Sequence, residues 1–253
     1  MRKLACLLFV AGAITACGKR GPLLYPDMLI PAAPSDVTVQ QFGDSIKLSF
    51  LLPSKDLAGR DFSGLSGVTI NKRDEAAGQA PGCSACTTDF APFRKLNLDL
   101  LPPGTQRYGN LLVLLDGAVQ SGRVYTYRVS SVTADNQDGA LSGPVSAVMV
   151  SALQPPVLQV TSQPTEIQLE FTGLPPGDGA IAGYNIYRVL KGEPFPLQPL
   201  NREPVAGNRF VDVGLERGVS YVYGVRAVVR LSSGGRLESG LSNEAEGRLK
   251  DDE

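Results

Sequence analysis

The chain has 253 residues, 43% of them apolar, with 24 basic and 25 acidic side chains and a net charge of −1. That apolar share is ample for packed cores and argues against a disordered stalk, while the near-neutral balance offers nothing that nucleic acid requires. Histidine is absent, which removes Ser-His-Asp and Cys-His catalysis together with the commonest metal ligand, so no catalytic residue, metal or cofactor is expected.

In chain order, the first element is a leader. Arg2 and Lys3 make a positive start, and Leu4 to Ile14 is an uncharged, mostly apolar run. It is too short to span a bilayer as a helix but suits a signal-peptide core, so residues 1–16 read as an export signal. Ile14-Thr15-Ala16-Cys17 resembles the bacterial lipobox. The resemblance implies cleavage before Cys17 and lipid on its sulfur, with several acyl chains giving a durable hold on a membrane. The alternative is an ordinary secretory signal with an incidental cysteine. Gly18 in place of Asp implies, on the same resemblance, sorting to the outer membrane; a position facing the periplasm is the expectation there, with exposure at the cell surface left open. Cleavage there leaves 237 residues, with 22 basic against 25 acidic side chains once Arg2 and Lys3 are gone.

Residues 17–30 read as a tether. Cys17-Gly18-Lys19-Arg20-Gly21-Pro22-Leu23-Leu24-Tyr25-Pro26 resembles the mature start of very short outer-membrane lipoproteins associated with the lipopolysaccharide-export translocon. Two readings stay open. One is a plain linker; the other gives Lys19, Arg20, Leu23 and Tyr25 a contact with a membrane-protein partner or lipid head groups.

The remainder is an internal repeat. Pro34–Phe50 lies over Pro155–Phe171 without a gap at an offset of 121 residues. In both copies Ile-x-Leu-x-Phe alternates with polar residues, through Ile46, Leu48, Phe50 and through Ile167, Leu169, Phe171. Such alternation marks a strand with one face in a core. Gly67–Lys72 then answers Gly183–Arg188, Asp116 answers Asp212, and Tyr125-x-Tyr127-x-Val129 answers Tyr221-x-Tyr223-x-Val225. Ser142-Gly143 is laid over Ser239-Gly240 at an offset near 97. Asp138-Gly139 and Ser233-Gly234-Gly235 supply the last hairpin turn of each copy. The copies span 31–152 and 153–247, the first carrying about twenty extra residues between Lys72 and Leu115, and 248–253 is an acidic tail.

Ile181–Arg188, Phe210–Leu215 and Gly218–Val228 resemble strands C, E and F of fibronectin type III modules. The resemblance implies an all-β fold of two consecutive immunoglobulin-like sandwiches. It makes Tyr221, and Tyr125 in the first copy, tyrosine corners whose hydroxyls bond the chain upstream. Phe50 and Phe171 stand where such modules often carry tryptophan.

The extra segment holds Gly82-Cys83-Ser84-Ala85-Cys86. A redox pair would want a helix N-terminus, and no helical pattern follows. Zinc wants about four ligands, and c-type haem wants a histidine where Thr87 stands. A small Cys83–Cys86 disulfide fastening an exposed loop is expected, and such a loop is also a candidate contact site. Gly177–Gly183 and Asp135–Gly139 read as turns. The expected function is a non-enzymatic, membrane-anchored lipoprotein with a protein partner at the cell envelope. The alternatives are a carbohydrate or surface-polymer binder, an accessory factor of lipopolysaccharide assembly, and a thiol oxidoreductase using Cys83 and Cys86.

Overall fold

The computed structural model describes residues 25–78 and 89–250. The export signal, Cys17, Lys19, Arg20, Leu23 and the Cys83–Cys86 segment lie outside the described residues. Among the described residues no helix is long and apolar enough to cross a membrane.

Each repeat folds as a two-layer β-sandwich. In the first module β1 (Ser35–Phe42), β2 (Ser45–Leu51), β6 (Leu111–Asp116) and β5 (Thr105–Tyr108) pair in that order. They face a second sheet ordered β4 (Ala91–Asn97), β3 (Leu65–Ala76), β7 (Arg123–Thr133), β8 (Val145–Met149). In the second module β9 (Val157–Ser162), β10 (Glu166–Thr172) and β12 (Arg209–Val213) oppose β11 (Ala180–Leu190) and β13 (Tyr221–Arg230), the latter also pairing β14 (Arg236–Glu238) and β15 (Ala245–Gly247). The segments assigned by resemblance to strands C, E and F fall on β11, β12 and β13. The fold is therefore all-β, two consecutive immunoglobulin-like sandwiches of fibronectin type III character.

The alternating residues form the cores. Ile46, Leu48 and Phe50 are fully buried with Val68, Ile70 and Tyr127, and Ile167, Leu169 and Phe171 do the same with Ile186, Tyr223 and Val225. Burial of one face only is what period-two patterning achieves. One detail of the repeat is corrected. The Val129 and Val225 N–H groups donate to the Ser142 and Ser242 hydroxyls at 3.0 Å each. Ser142 thus corresponds to Ser242 and not to Ser239, because the last hairpin of module 2 is longer and carries the extra strand β14.

That strand joins the modules. β14 runs parallel to β1 of module 1, with Gln41 opposite Leu237 and Phe42 opposite Glu238, and makes the two sheets one. The β1–β2 hairpin points into module 2. Its first turn residue is Gly43 at φ +64°, a conformation suited to a two-residue turn, and its N–H donates to the Glu238 carbonyl at 2.9 Å. The Gln41 side chain donates to the Val150 carbonyl and accepts from the Val150 N–H, both at 3.0 Å, which clamps the link between modules.

The segment read as a tether is partly built into module 1. Pro26–Met28 forms a single 3₁₀ turn. The Ala58 N–H donates to the Met28 carbonyl, Leu57 to Ile30, Ala32 to Lys55 and Ala140 to Pro31.

Candidate functional site

The extra segment of module 1 leaves β3 after Ala76 and returns on β4 at Ala91. At its root lies an open cleft of about 790 Å³, lined among others by Lys72, Asp74, Phe93, Gln120, Arg123 and Tyr125. Position follows from strand register. Asp74 lies opposite Tyr125 and Asn71 opposite Pro92, so β3, β7 and β4 deliver their side chains to one end of the sandwich. Arg123 pairs with Asp74 on the wall of the cleft.

At the floor, Lys72 Nζ donates to Asp116 Oδ2 at 2.5 Å and to the Ala118 carbonyl at 2.9 Å. The same ammonium lies 4.4 Å from the Tyr125 ring centroid and 5.0 Å from that of Phe93. Asp116 also accepts the Tyr127 hydroxyl at 2.7 Å and the Ala118 N–H at 2.9 Å. A cation held this way between a carboxylate and aromatic faces is satisfied and rigid. It supports the floor of the cleft.

The second module repeats the arrangement. Arg188 donates to both Asp212 oxygens at 2.8 and 3.0 Å, Tyr223 donates to Asp212 Oδ2 at 2.8 Å, and the guanidinium lies 5.3 Å from the Tyr221 ring centroid. The cleft beside it is smaller, about 360 Å³, walled by Glu193, Pro194 and Pro196 and by Gln106 from module 1. Of these two equivalent clefts, module 1's is the larger.

Tyr125 and Tyr221 act at the corners. Their hydroxyls accept the N–H groups of Gln120 at 2.8 Å and Glu216 at 3.2 Å. Tyr25 is exposed at the start of the described chain. Among the described residues no group of three or more His, Cys, Asp or Glu side chains is arranged to hold a metal ion.

The contact between modules contains charges that sequence patterning placed on the surface. Lys47 Nζ donates to Glu238 Oε1 at 2.7 Å, with only 8% and 2% of the two side chains exposed. Tyr187 donates to Glu238 Oε2 at 2.6 Å and Gln40 to Oε1 at 2.8 Å. Phe42 reaches across, edge-on to Tyr187 with centroids 6.0 Å apart and 3.7 Å from the Arg226 guanidinium. Val113 and Leu197 complete an apolar patch there. A readable signal existed in Leu111–Leu115, five consecutive apolar residues against Gly207–Val211 in the other copy. An unbroken run marks a strand buried on both faces.

Burial depresses the Lys47 and Arg226 pKa values. It raises those of Tyr127, Tyr187 and Tyr223, reinforced by hydrogen bonds to Asp116, Glu238 and Asp212. The folded chain therefore keeps these phenolic protons above pH ~10, where the unfolded chain loses them, so stability falls as pH rises beyond that point. Lys47 acts oppositely, adding stability as pH climbs from its depressed value to about 10.4, and then no more. In an alkaline titration followed by tyrosinate absorbance, these three of the eight tyrosines are expected to stay silent until the fold is lost. Their ionisation with the fold intact would contradict this.

Beside the buried pair, a polar cleft of about 330 Å³ opens between modules, lined by Gln40, Asn185, Gln198, Arg202 and Arg236 among others.

No protein-family model matches the chain. Among solved structures it is similar to the FN1–FN3 domains of chicken CNTN1, at 13% sequence identity and a TM-score of 0.34, over 88% of this chain and 68% of that one.

Proposed function

We propose that the chain is a non-enzymatic lipoprotein, held by lipid on Cys17 at the periplasmic face of the outer membrane, whose two sandwiches act as one rigid body toward a protein partner. The observation that carries the reading is the union of both modules in a single sheet around the buried Lys47–Glu238 pair. A body of that kind holds widely separated loops in fixed relation, which lowers the ordering cost of binding a partner. The contact site in this reading is the open module 1 cleft, at the root of the segment that carries Cys83 and Cys86.

The test is in-cell photo-crosslinking from Ala91 or Gln120, both exposed on the cleft, against Val213 on β12. Capture of one dominant envelope protein from the cleft positions and not from Val213 is expected. No enrichment over an anchored control contradicts the reading. The polar cleft between modules favours a second reading, an acidic or polyhydroxylated surface polymer bound by Arg202, Arg236 and the neighbouring amides. A glycan array with no retained ligand disposes of it.

A further inference from the structure

Tyr25, Leu29 and Leu57 are 61%, 40% and 48% exposed. Tyr25 and Leu29 are near neighbours in sequence, and the distant Leu57 is brought to the same end of module 1. The Met28 N–H donates to the Tyr25 carbonyl at 2.9 Å and the Leu29 N–H to Pro26 at 3.0 Å, curling the chain back. The Leu57 N–H donates to Ile30 at 3.1 Å and the Ala58 N–H to Met28 at 3.0 Å, which sets the backbone at Leu57 beside that of Met28–Ile30. Two exposed leucines and an exposed tyrosine on adjoining backbone segments are costly in water and suit the boundary between head groups and acyl chains.

The length of chain before Tyr25 says what faces these side chains. From Cys17 to Tyr25 are eight residue steps, which at roughly 3.6 Å each reach at most about 29 Å. With acyl chains on Cys17, the end of module 1 bearing Tyr25 cannot leave the neighbourhood of the lipid surface. Among the described residues there, Lys55 and Arg60 stand against Asp27, Asp56 and Asp61, with Arg60 Nη2 2.8 Å from Asp56 Oδ2, so these charges give no net attraction to anionic lipid. We infer that Tyr25, Leu29 and Leu57 form an apolar foot that seats module 1 on the lipid head-group layer and fixes its orientation. This rests on the proposed lipidation of Cys17.

The chain has no tryptophan, so one introduced indole is an unambiguous reporter. The full lipidated chain carrying Tyr25→Trp, Leu29→Trp, Leu57→Trp or Val213→Trp would be reconstituted into phosphatidylcholine vesicles with brominated acyl chains. Indoles at 25, 29 and 57 are expected to shift to shorter wavelength and be quenched, and the one at 213 to behave as in water. Mass spectrometry of the N-terminal peptide reports the lipid separately. Lipid present with no quenching at 25, 29 and 57, or with equal quenching at 213, overturns the foot alone. Absence of lipid from Cys17 overturns the proposed anchorage and the foot with it.

Discussion

Replacing Glu238 by alanine is expected to lower stability by about 3–5 kcal/mol, the usual cost of removing one partner of a buried ion pair. The carboxylate accepts from Lys47, Gln40 and Tyr187 at once, and the Arg226 guanidinium lies close enough to feel its charge. Without it, Lys47 remains buried with its paired anion gone, the half-buried Arg226 loses one of the negative charges acting on it, and the Tyr187 hydroxyl loses its acceptor. Water or a rearrangement must then enter the contact between modules, and the cheapest rearrangement is separation. Calorimetry should therefore show one cooperative transition in the parent and two in the Glu238→Ala variant. A paired change, Lys47→Met with Glu238→Leu, removes both charges and should cost less than Glu238→Ala alone. A single unshifted transition for Glu238→Ala would contradict the account of the contact.

Phe171→Ala is expected to have a comparable effect by another route. The ring is fully buried near the end of β10, and its centroid lies 4.7 Å from that of Tyr184. Truncating a core phenylalanine removes its transfer energy and leaves a cavity, together about 3–5 kcal/mol. Phe171→Leu keeps most of the volume and should recover a large part of that loss. The loss reaches beyond module 2, since its unfolding would expose Phe42 and Val113 of module 1, which it covers. Urea unfolding of Phe171→Ala should therefore shift both modules to lower denaturant. A change of less than about 1 kcal/mol, below the range for buried phenylalanine, would show that the ring is not the core element described.

Much of this fold is legible in the sequence because each strand of a solvated sandwich buries one face. Ile46, Leu48 and Phe50 declare that face by alternation, and the second copy repeats the statement. Lys47 sits on the polar phase of the same strand, and nothing local says that another module covers it. Its counterpart Gln168 faces no such cover, which is why the repeat did not reveal the contact. Leu111–Leu115 did carry the information, as a run too apolar for a strand with one face in water. Glu238 carried none, being a charged residue in a three-residue strand behind a glycine-rich turn. The hydrogen bonds of Met28, Ile30 and Pro31 to module 1 were equally hidden, since an irregular segment paired through its backbone has no periodicity to read. The module 1 cleft was half visible. Lys72, Tyr125 and Asp116 stand out in the repeat, whereas Asp74, Arg123 and Phe93 join them only through strand register.

The measurement that bears most directly on the union of the two modules is native-state amide hydrogen exchange at Gly43. Its N–H belongs to module 1 and its acceptor, the Glu238 carbonyl, to module 2. Amides that open only on global unfolding exchange slowest, and those in locally opening segments exchange fast. If the modules form one body, Gly43 exchanges as slowly as the ladder amides of β2. Exchange of Gly43 at the rate of the Ser233–Gly235 turn, while β2 stays protected, would mean two modules that part freely in solution.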